Sequence, residues 1–327
     1  MNTIRQLELL FAKKCNLNNM RHINIIQRNI RKYIRKLHTL PCIKYKKTII
    51  SYNSIYAFDK STKDKNDENN KIRENIIDLI VNNKVPDEYF TLSKRWYQLK
   101  KGILDYIQDL VGKNITINKI ELLPKAGRKY NYDFEIIVND IYNFNVEFKY
   151  NASKLSDIPQ FVSPSKPSQY MSGNYEEYYY TEYLPLLSSF GNLIYPDKKT
   201  YLKQINCNRP KCMITYKELY KTDDIFKQLA KKCSEESIEK FIQSSELKLN
   251  IDVLSEYLEN SQKNKIYMLY KKGIFYKAIP DMNDYKLVSY IKEKNRFVVT
   301  NVNGTKIYVL LRWKNGNGIA CPAFQIS

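Results

Sequence analysis

The sequence predicts an α/β protein: a mixed sheet flanked by helices, preceded by a basic helical extension and followed by an antiparallel β region. Three observations lead there. Apolar residues recur at helical spacing over Ile72, Ile76, Ile77 and Ile80, and again over Trp96, Leu99, Ile103, Ile107 and Leu110. Apolar and polar residues alternate between Ile115 and Tyr150, the pattern of half-buried strands, and alternation returns from Lys265 onward. With 327 residues, 43% of them hydrophobic, the chain can bury a substantial core in two domains or one elaborated one. The divisions read from composition are a basic helical segment over 1–58, a flexible linker over 59–71, an α/β core over 72–200, a helical region over 201–262 and a β region over 263–327 that either completes the core sheet or stands apart.

Taken in order, residues 1–50 hold twelve Lys or Arg against one acid, Glu8. Ile23, Ile26, Ile30, Ile34 and Leu37 fall on one helical face with Arg28, Arg31, Lys32, Arg35 and Lys36 interleaved. Three readings compete: a clamp for nucleic-acid phosphates, an address segment such as a mitochondrial presequence or nuclear signal, or a helix solvated on one side. Residues 59–71 alternate in charge and read as the linker. Ser93 is the expected N-cap of a helix running to Val111 and ending at Gly112. A strand over 115–123 follows, then the basic turn Pro124-Lys125-Ala126-Gly127-Arg128-Lys129, in which Lys125, Arg128 and Lys129 are candidate phosphate contacts.

The chemistry lies in the next twenty residues. Along Tyr130–Val138, side chains of an extended strand alternate, so Asp133 and Glu135 share one face while Phe134, Ile136 and Val138 share the other. In Asn145–Tyr150, Glu147 and Lys149 share a face opposite Val146, Phe148 and Tyr150. With residues 139–143 as the hairpin loop, Asp133, Glu147 and Lys149 meet on adjacent strands. Two carboxylates held close repel each other, and a hard divalent cation relieves that repulsion. The competing reading is an amphipathic hairpin whose Glu and Lys face water.

At these residues the chain resembles the PD-(D/E)XK nuclease superfamily, with Asp133 and Glu147-Phe148-Lys149 matching its motif. The resemblance covers mainly residues 93–161. The family's proline is absent, Tyr132 standing before Asp133. It implies a restriction-endonuclease-like fold and magnesium-dependent hydrolysis of DNA phosphodiesters leaving 5′-phosphates, manganese substituting. It further implies Asp133, Glu147 and the Phe148 carbonyl as metal ligands, with Lys149 beside the attacking water. Some members add a carboxylate from the first helix; Asp105 and Asp109 are the candidates here. Glu135 stands as a second metal ligand or water-orienting group, and Ser153, Lys154 and Gln160, just past the third strand, as substrate contacts. Glu246-Leu247-Lys248 also matches Glu-x-Lys, but in a stretch that reads as helix with no acidic strand before it.

The remaining features bound the function. Lys plus Arg exceed Asp plus Glu by 54 to 34, a formal net charge of +20 that attracts polyanions, although a Lys- and Asn-rich composition has the same effect without a nucleic acid. Only His22 and His38 are present, both in the basic segment, which argues against triads, dyads or histidine metal sites. Cys207 and Cys212 are spaced at the limit of a zinc knuckle, but the six cysteines read best as reduced thiols of an intracellular protein. No phosphate-binding glycine loop, dinucleotide fingerprint, signal peptide or membrane span is evident, so neither a nucleotide cofactor nor a membrane is expected. Tyr175, Tyr178, Tyr179 and Tyr183 suit one packed helical face. Beyond them, helices are expected over 223–233, 235–244 and 251–259, and a strand at Lys265–Tyr270 turns at Lys272-Gly273. Asn303-Gly304 is the signature of a two-residue hairpin. Lys292, Lys294, Arg296, Lys306, Arg312 and Lys314 would let the last sheet read substrate. The function expected is a magnesium-dependent endodeoxyribonuclease acting on DNA, a homodimer being compatible with it; the alternative is a non-catalytic nucleic-acid-binding or virion-associated protein.

Overall fold

The computed structural model describes residues 26–32, 40–59, 66–125, 130–158, 167–204, 213–314 and 321–326. It is a mixed α/β chain that divides into two compact units. Among the described residues no helix is long and apolar enough to cross a membrane.

The first unit holds the described parts of Met1–Gly127, together with Tyr132–Asn151 and Tyr270–Lys277. Residues 26–32 are helical. A short hairpin, β1 (Ile43–Tyr45) and β2 (Thr48–Ile50), leads through a 3-10 turn at Tyr52–Phe58 to helix α1 (Asn66–Val81). Asp67 and Glu68 in its first turn suit the positive end of the helix dipole. That is why helix begins inside the stretch read as a linker. Ile76, Ile77, Leu79, Ile80 and Val81 are buried along α1. After α2 (Asp87–Leu92) comes α3 (Lys94–Val111), where the Ser93 hydroxyl accepts from Trp96 N–H at 3.3 Å and Gly112 closes the helix at φ 95°. Trp96, Ile103 and Ile107 are completely buried.

Strands β3 (Ile120–Pro124), β4 (Phe134–Val138) and β5 (Tyr142–Tyr150) then pair antiparallel in sequence order. The first is shorter than the alternation from Ile115 implies. The Asn139 side chain accounts for this: its oxygen accepts from the Asn118 and Lys119 amides and its amide donates to the Thr116 carbonyl, so residues 116–119 bond to the hairpin corner. The corner itself passes through Asn139 and Asp140, both at positive φ, residue types that tolerate the left-handed region. In the five-stranded sheet the order is β3-β4-β5-β6-β7, with β6 spanning Lys265–Lys271 and β7 Ile274–Ala278. Lys272 (φ 49°) and Gly273 (φ 88°) make the expected turn between those two.

The second unit holds the described parts of Arg128–Asn131, Ala152–Leu269 and Ala278–Ser327. Its helices are α4 (Tyr175–Glu182), α5 (Leu184–Gly191), α6 (Lys198–Gln204), α7 (Ile214–Thr222), α8 (Asp224–Gln243) and α9 (Ile251–Gln262). Tyr175, Tyr179 and Tyr183 are buried in its core, so the tyrosine-rich helix packs as its spacing implies. Two helices expected over 223–244 are one. Ser234, where a break seemed due, gives its hydroxyl to the Ala230 carbonyl, and Ser237 bonds the Ser234 carbonyl and the Tyr175 hydroxyl, so both polar side chains are satisfied without interrupting the helix. The four-stranded sheet β11-β10-β9-β8 contributes Leu287, Phe297, Val299, Val309 and Leu311 to the same core. Its strands are β8 (Leu287–Glu293), β9 (Arg296–Asn301), β10 (Lys306–Lys314) and β11 (Cys321–Ile326). The expected two-residue hairpin at Asn303-Gly304 has three residues instead, because Asn301 N–H bonds the Thr305 carbonyl and Gly304 takes the left-handed position at φ 76°. Glu246-Leu247-Lys248 lies in a turn after α8 rather than in helix, with Leu247 buried.

Candidate active site

The site is built on the β4–β5 hairpin. Phe134 faces Val146 at the end of the β4–β5 ladder, so Asp133 just before β4 and Glu147 just after Val146 both lie at that end of the hairpin. Phe134, Ile136, Val138, Val146 and Phe148 are buried on the apolar side, leaving Asp133, Glu135, Glu147 and Lys149 to the other. Asp133, in the bend just before β4, is bonded on both sides: its N–H donates to the Val146 carbonyl at 3.0 Å and its carbonyl accepts from Lys125 N–H at 2.8 Å. Its carboxylate accepts the Phe148 N–H at 2.9 Å. The structure therefore brings the acid of one strand to the backbone between the acid and the amine of the next.

Lys149 forms an ion pair with Glu147. Burial works against its charge, but Glu147, Asp133 and Glu74 together outweigh burial and hold its pKa above the ordinary lysine value. The group is thus a fixed ammonium, not a base.

Glu74, on α1, is the residue that sequence reasoning missed. Its carboxyl is pushed up to about 7, first by burial and then by the charge of Asp133, with Glu147 adding to the effect and Lys149 and Lys46 opposing it. Glu74 on α1 is thus within electrostatic reach of Asp133, Glu147 and Lys149. The helix position is fixed by Arg73, fully buried next to Glu74, whose guanidinium lies 3.4 Å from the centre of the Tyr150 ring and donates to the Ala57 carbonyl at 2.8 Å. Tyr150 in turn gives its hydroxyl to the Phe58 carbonyl at 2.9 Å and stacks on Tyr270.

Chain comparisons leave this geometry to stand alone. No protein-family model, curated protein or solved structure matches the chain.

Other expected site residues fall elsewhere. Asp105 pairs with Lys101 at 2.8 Å and Asp109 with Lys277 at 2.9 Å, and both line a cleft of about 700 Å³ with Asp59, Arg95 and Phe275. The helix that brings an acid toward them is α1, two helices before the α3 that carries Asp105 and Asp109. Glu135 is neutralised away from the pair: Lys125 bonds it at 2.5 Å and Asn143 at 2.6 Å, and these bonds hold its pKa below the ordinary value. Lys125 is accordingly committed to Glu135. Ser153 bonds the Asp157 carboxylate through both its amide and its hydroxyl, and Lys154 is exposed. Arg28, Arg31 and Lys32 are exposed on the helix over 26–32, while Arg35, Arg128, Lys129 and Gln160 lie outside the described residues. In the last sheet Lys292 donates to the Ser244 carbonyl, Lys294 pairs with Glu239 and Arg296 with Glu293, so these three serve the fold first. Cys42 and Cys233 are free thiols, and Cys207 and Cys212 lie outside the described residues.

For a divalent cation, the donor chemistry suits magnesium or manganese: carboxylate oxygens from Glu74, Asp133 and Glu147 beside a backbone carbonyl at Phe148. The raised pKa of Glu74 comes first from burial and then from the neighbouring Asp133 charge. Among the described residues, however, no three acidic, histidine or cysteine side chains converge closely enough to enclose an ion, Glu147 being turned onto Lys149. The oxygen donors are of the kind a hard cation takes, but as placed they do not enclose one.

Proposed function

We propose that the chain is a divalent-metal-dependent endodeoxyribonuclease of the restriction-endonuclease-like kind. The observation that carries the reading is the coupling of Asp133, Glu147 and Lys149 across one antiparallel strand pair, with Glu74 brought to them from α1. The order of α3, β3, β4 and β5, with β6 next in the sheet, is compatible with the same reading.

Asp133 and Glu147 would hold the metal, with the Phe148 carbonyl and Glu74 as further oxygen donors. Bound there, magnesium would acidify a water and offset charge on a phosphoryl oxygen. The chain's own groups have distinct tasks. Lys149, fixed as an ammonium in a partly buried setting, stabilises negative charge growing on the phosphate and orients the water; it does not take the proton. Glu74, pushed toward neutrality by burial and by Asp133 in the absence of metal, would give up its proton when the cation binds. Phe148 N–H fixes the Asp133 carboxylate so that no rotamer has to be found when substrate arrives. Hydrolysis in this arrangement leaves a 5′-phosphate.

The test is digestion of supercoiled plasmid with magnesium or manganese by the full chain, by Asp133→Asn and by Lys149→Ala. Nicking or linearisation by the wild type, reduced at least about a hundredfold in both variants, supports the proposal. Equal cutting by all three assigns the activity to a contaminant and removes it. DNA retention without any cleavage by the wild type favours a non-catalytic nucleic-acid-binding protein instead.

A further inference from the structure

The β1–β2 hairpin carries no part of the site described above, yet it is bound to the helix that does. It presents Lys44, Lys46 and Lys47 to solvent while Ile50 is fully buried beneath it. Lys46 stands at the tip at φ 53°. Three bonds tie the hairpin to one stretch of α1: the Tyr45 hydroxyl donates to the buried Asp78 carboxylate, the Asn75 amide donates to the Thr48 hydroxyl at 3.3 Å, and Lys46 approaches Asp78 at 3.9 Å. Tyr89 adds a fourth anchor by donating to the Pro41 carbonyl at 2.6 Å. The attachment is specific, and the Lys46 side chain stays half exposed despite it.

The position matters more than the charge. Asp78 lies four residues after Glu74, one helical turn and about 6 Å along the axis, comparable to one or two nucleotides along a strand. The charge of Lys46 is felt at Glu74 itself, opposing the effect of Asp133 and Glu147 there. A polyanion entering an acidic site is repelled unless cations flank it, and this hairpin supplies them on the helix side.

We infer that the β1–β2 hairpin is a phosphate clamp, with Lys46 and Lys47 gripping the DNA backbone within about two nucleotides of the bond to be cut. The inference rests on the nuclease reading for the location of that bond. Lys44 extends the grip along the exposed side of the hairpin.

The test measures binding of a short fluorescein-labelled DNA duplex by fluorescence anisotropy across a salt series, without metal, using the full chain. Wild type is compared with Lys46→Ala/Lys47→Ala and with a charge-matched control, Lys231→Ala/Lys232→Ala, at two exposed positions of α8. The clamp predicts that the slope of log affinity against log salt falls by about two for the hairpin variant and by less than about one for the control. Equal slopes for the two double variants would overturn it. Plasmid cleavage by the same preparations separates the claims: a wild type that cuts while the hairpin variant keeps the full slope sinks the clamp alone. A wild type that never cuts while the hairpin variant loses the slope sinks the nuclease reading and leaves a DNA-gripping hairpin. At most a small loss of melting temperature is expected in the hairpin variant, since Lys47 is exposed and Lys46 only approaches Asp78 at 3.9 Å; a variant that unfolds is replaced by Lys46→Gln/Lys47→Gln, which removes the charges while keeping most of each side chain.

Discussion

At the scale of single residues, the account turns on Glu74. An acid whose folded pKa is raised above its unfolded value favours the folded state below the unfolded pKa, and that advantage is lost as pH rises toward the folded value. For Glu74 the window runs from the ordinary glutamate value of 4.5 to about 7. Wild type is therefore expected to lose stability across this window relative to Glu74→Gln, by at most ~3 kcal/mol at pH 8, as read by denaturant melts at pH 5 and pH 8. A constant gap between the two proteins across pH would contradict the assignment. Magnesium should narrow the gap at pH 8 by stabilising the ionised wild type. Lys149 behaves oppositely. Its ammonium is held by the acids around it, so Lys149→Ala should abolish cleavage yet keep DNA retention, and should gain more melting temperature from magnesium than the wild type does. A Lys149→Ala protein that cuts normally would contradict its role.

At the scale of elements, the site exists because one helix is locked onto the end of one strand. Arg73 is buried without solvent to share its charge, and burial pulls its pKa down, with Tyr150 and Tyr270 only partly opposing this, while its side chain stacks on the Tyr150 ring and donates to the Ala57 carbonyl. Replacing Arg73 with Met is expected to cost about 3 kcal/mol and, by loosening α1, to return the Glu74 pKa toward its ordinary range. A variant of wild-type stability would show that the guanidinium contributes nothing net. This lock also explains what could and could not be read from the sequence. Asp133, Glu147 and Lys149 were legible because a strand's period of two forces residues two apart onto one face, and a short loop then sets the facing strand. Glu74 was not. Helical periodicity says which side of α1 is buried, but not which helix lies beside the acids, and Asp105 and Asp109 are candidates only through the family resemblance, some members of that family drawing a carboxylate from the first helix. They pair with Lys101 and Lys277 instead. The caps at Ser93 and Gly112 and the turn at Lys272-Gly273 were readable from local chemistry, whereas the shortened β3 depends on Asn139 reaching back more than twenty residues, which no local pattern encodes.

At the scale of the whole molecule, a net charge of +20 and an acidic site have opposite meanings for a polyanion. On the proposed reading, the positive charge would raise encounter with DNA and make binding depend steeply on salt, while the acids would need a cation to admit a phosphate. The two units have apolar cores of their own, and neither is built around the acidic cluster. Removing metal with a chelator is thus expected to stop cleavage while leaving the circular dichroism spectrum and melting temperature close to those of the untreated protein. Unfolding on chelation would mean that the metal is structural.

The claim on which the rest depends is that Glu74, Asp133, Glu147 and Lys149 form one coupled unit ready for a divalent cation. Carboxyl carbon chemical shifts of labelled glutamate, followed by NMR through a pH titration, test it directly. Glu74 should titrate near 7 without metal and well below that with magnesium, with Asp133→Asn lowering the metal-free value. A Glu74 that titrates near 4.5 in both conditions would contradict it.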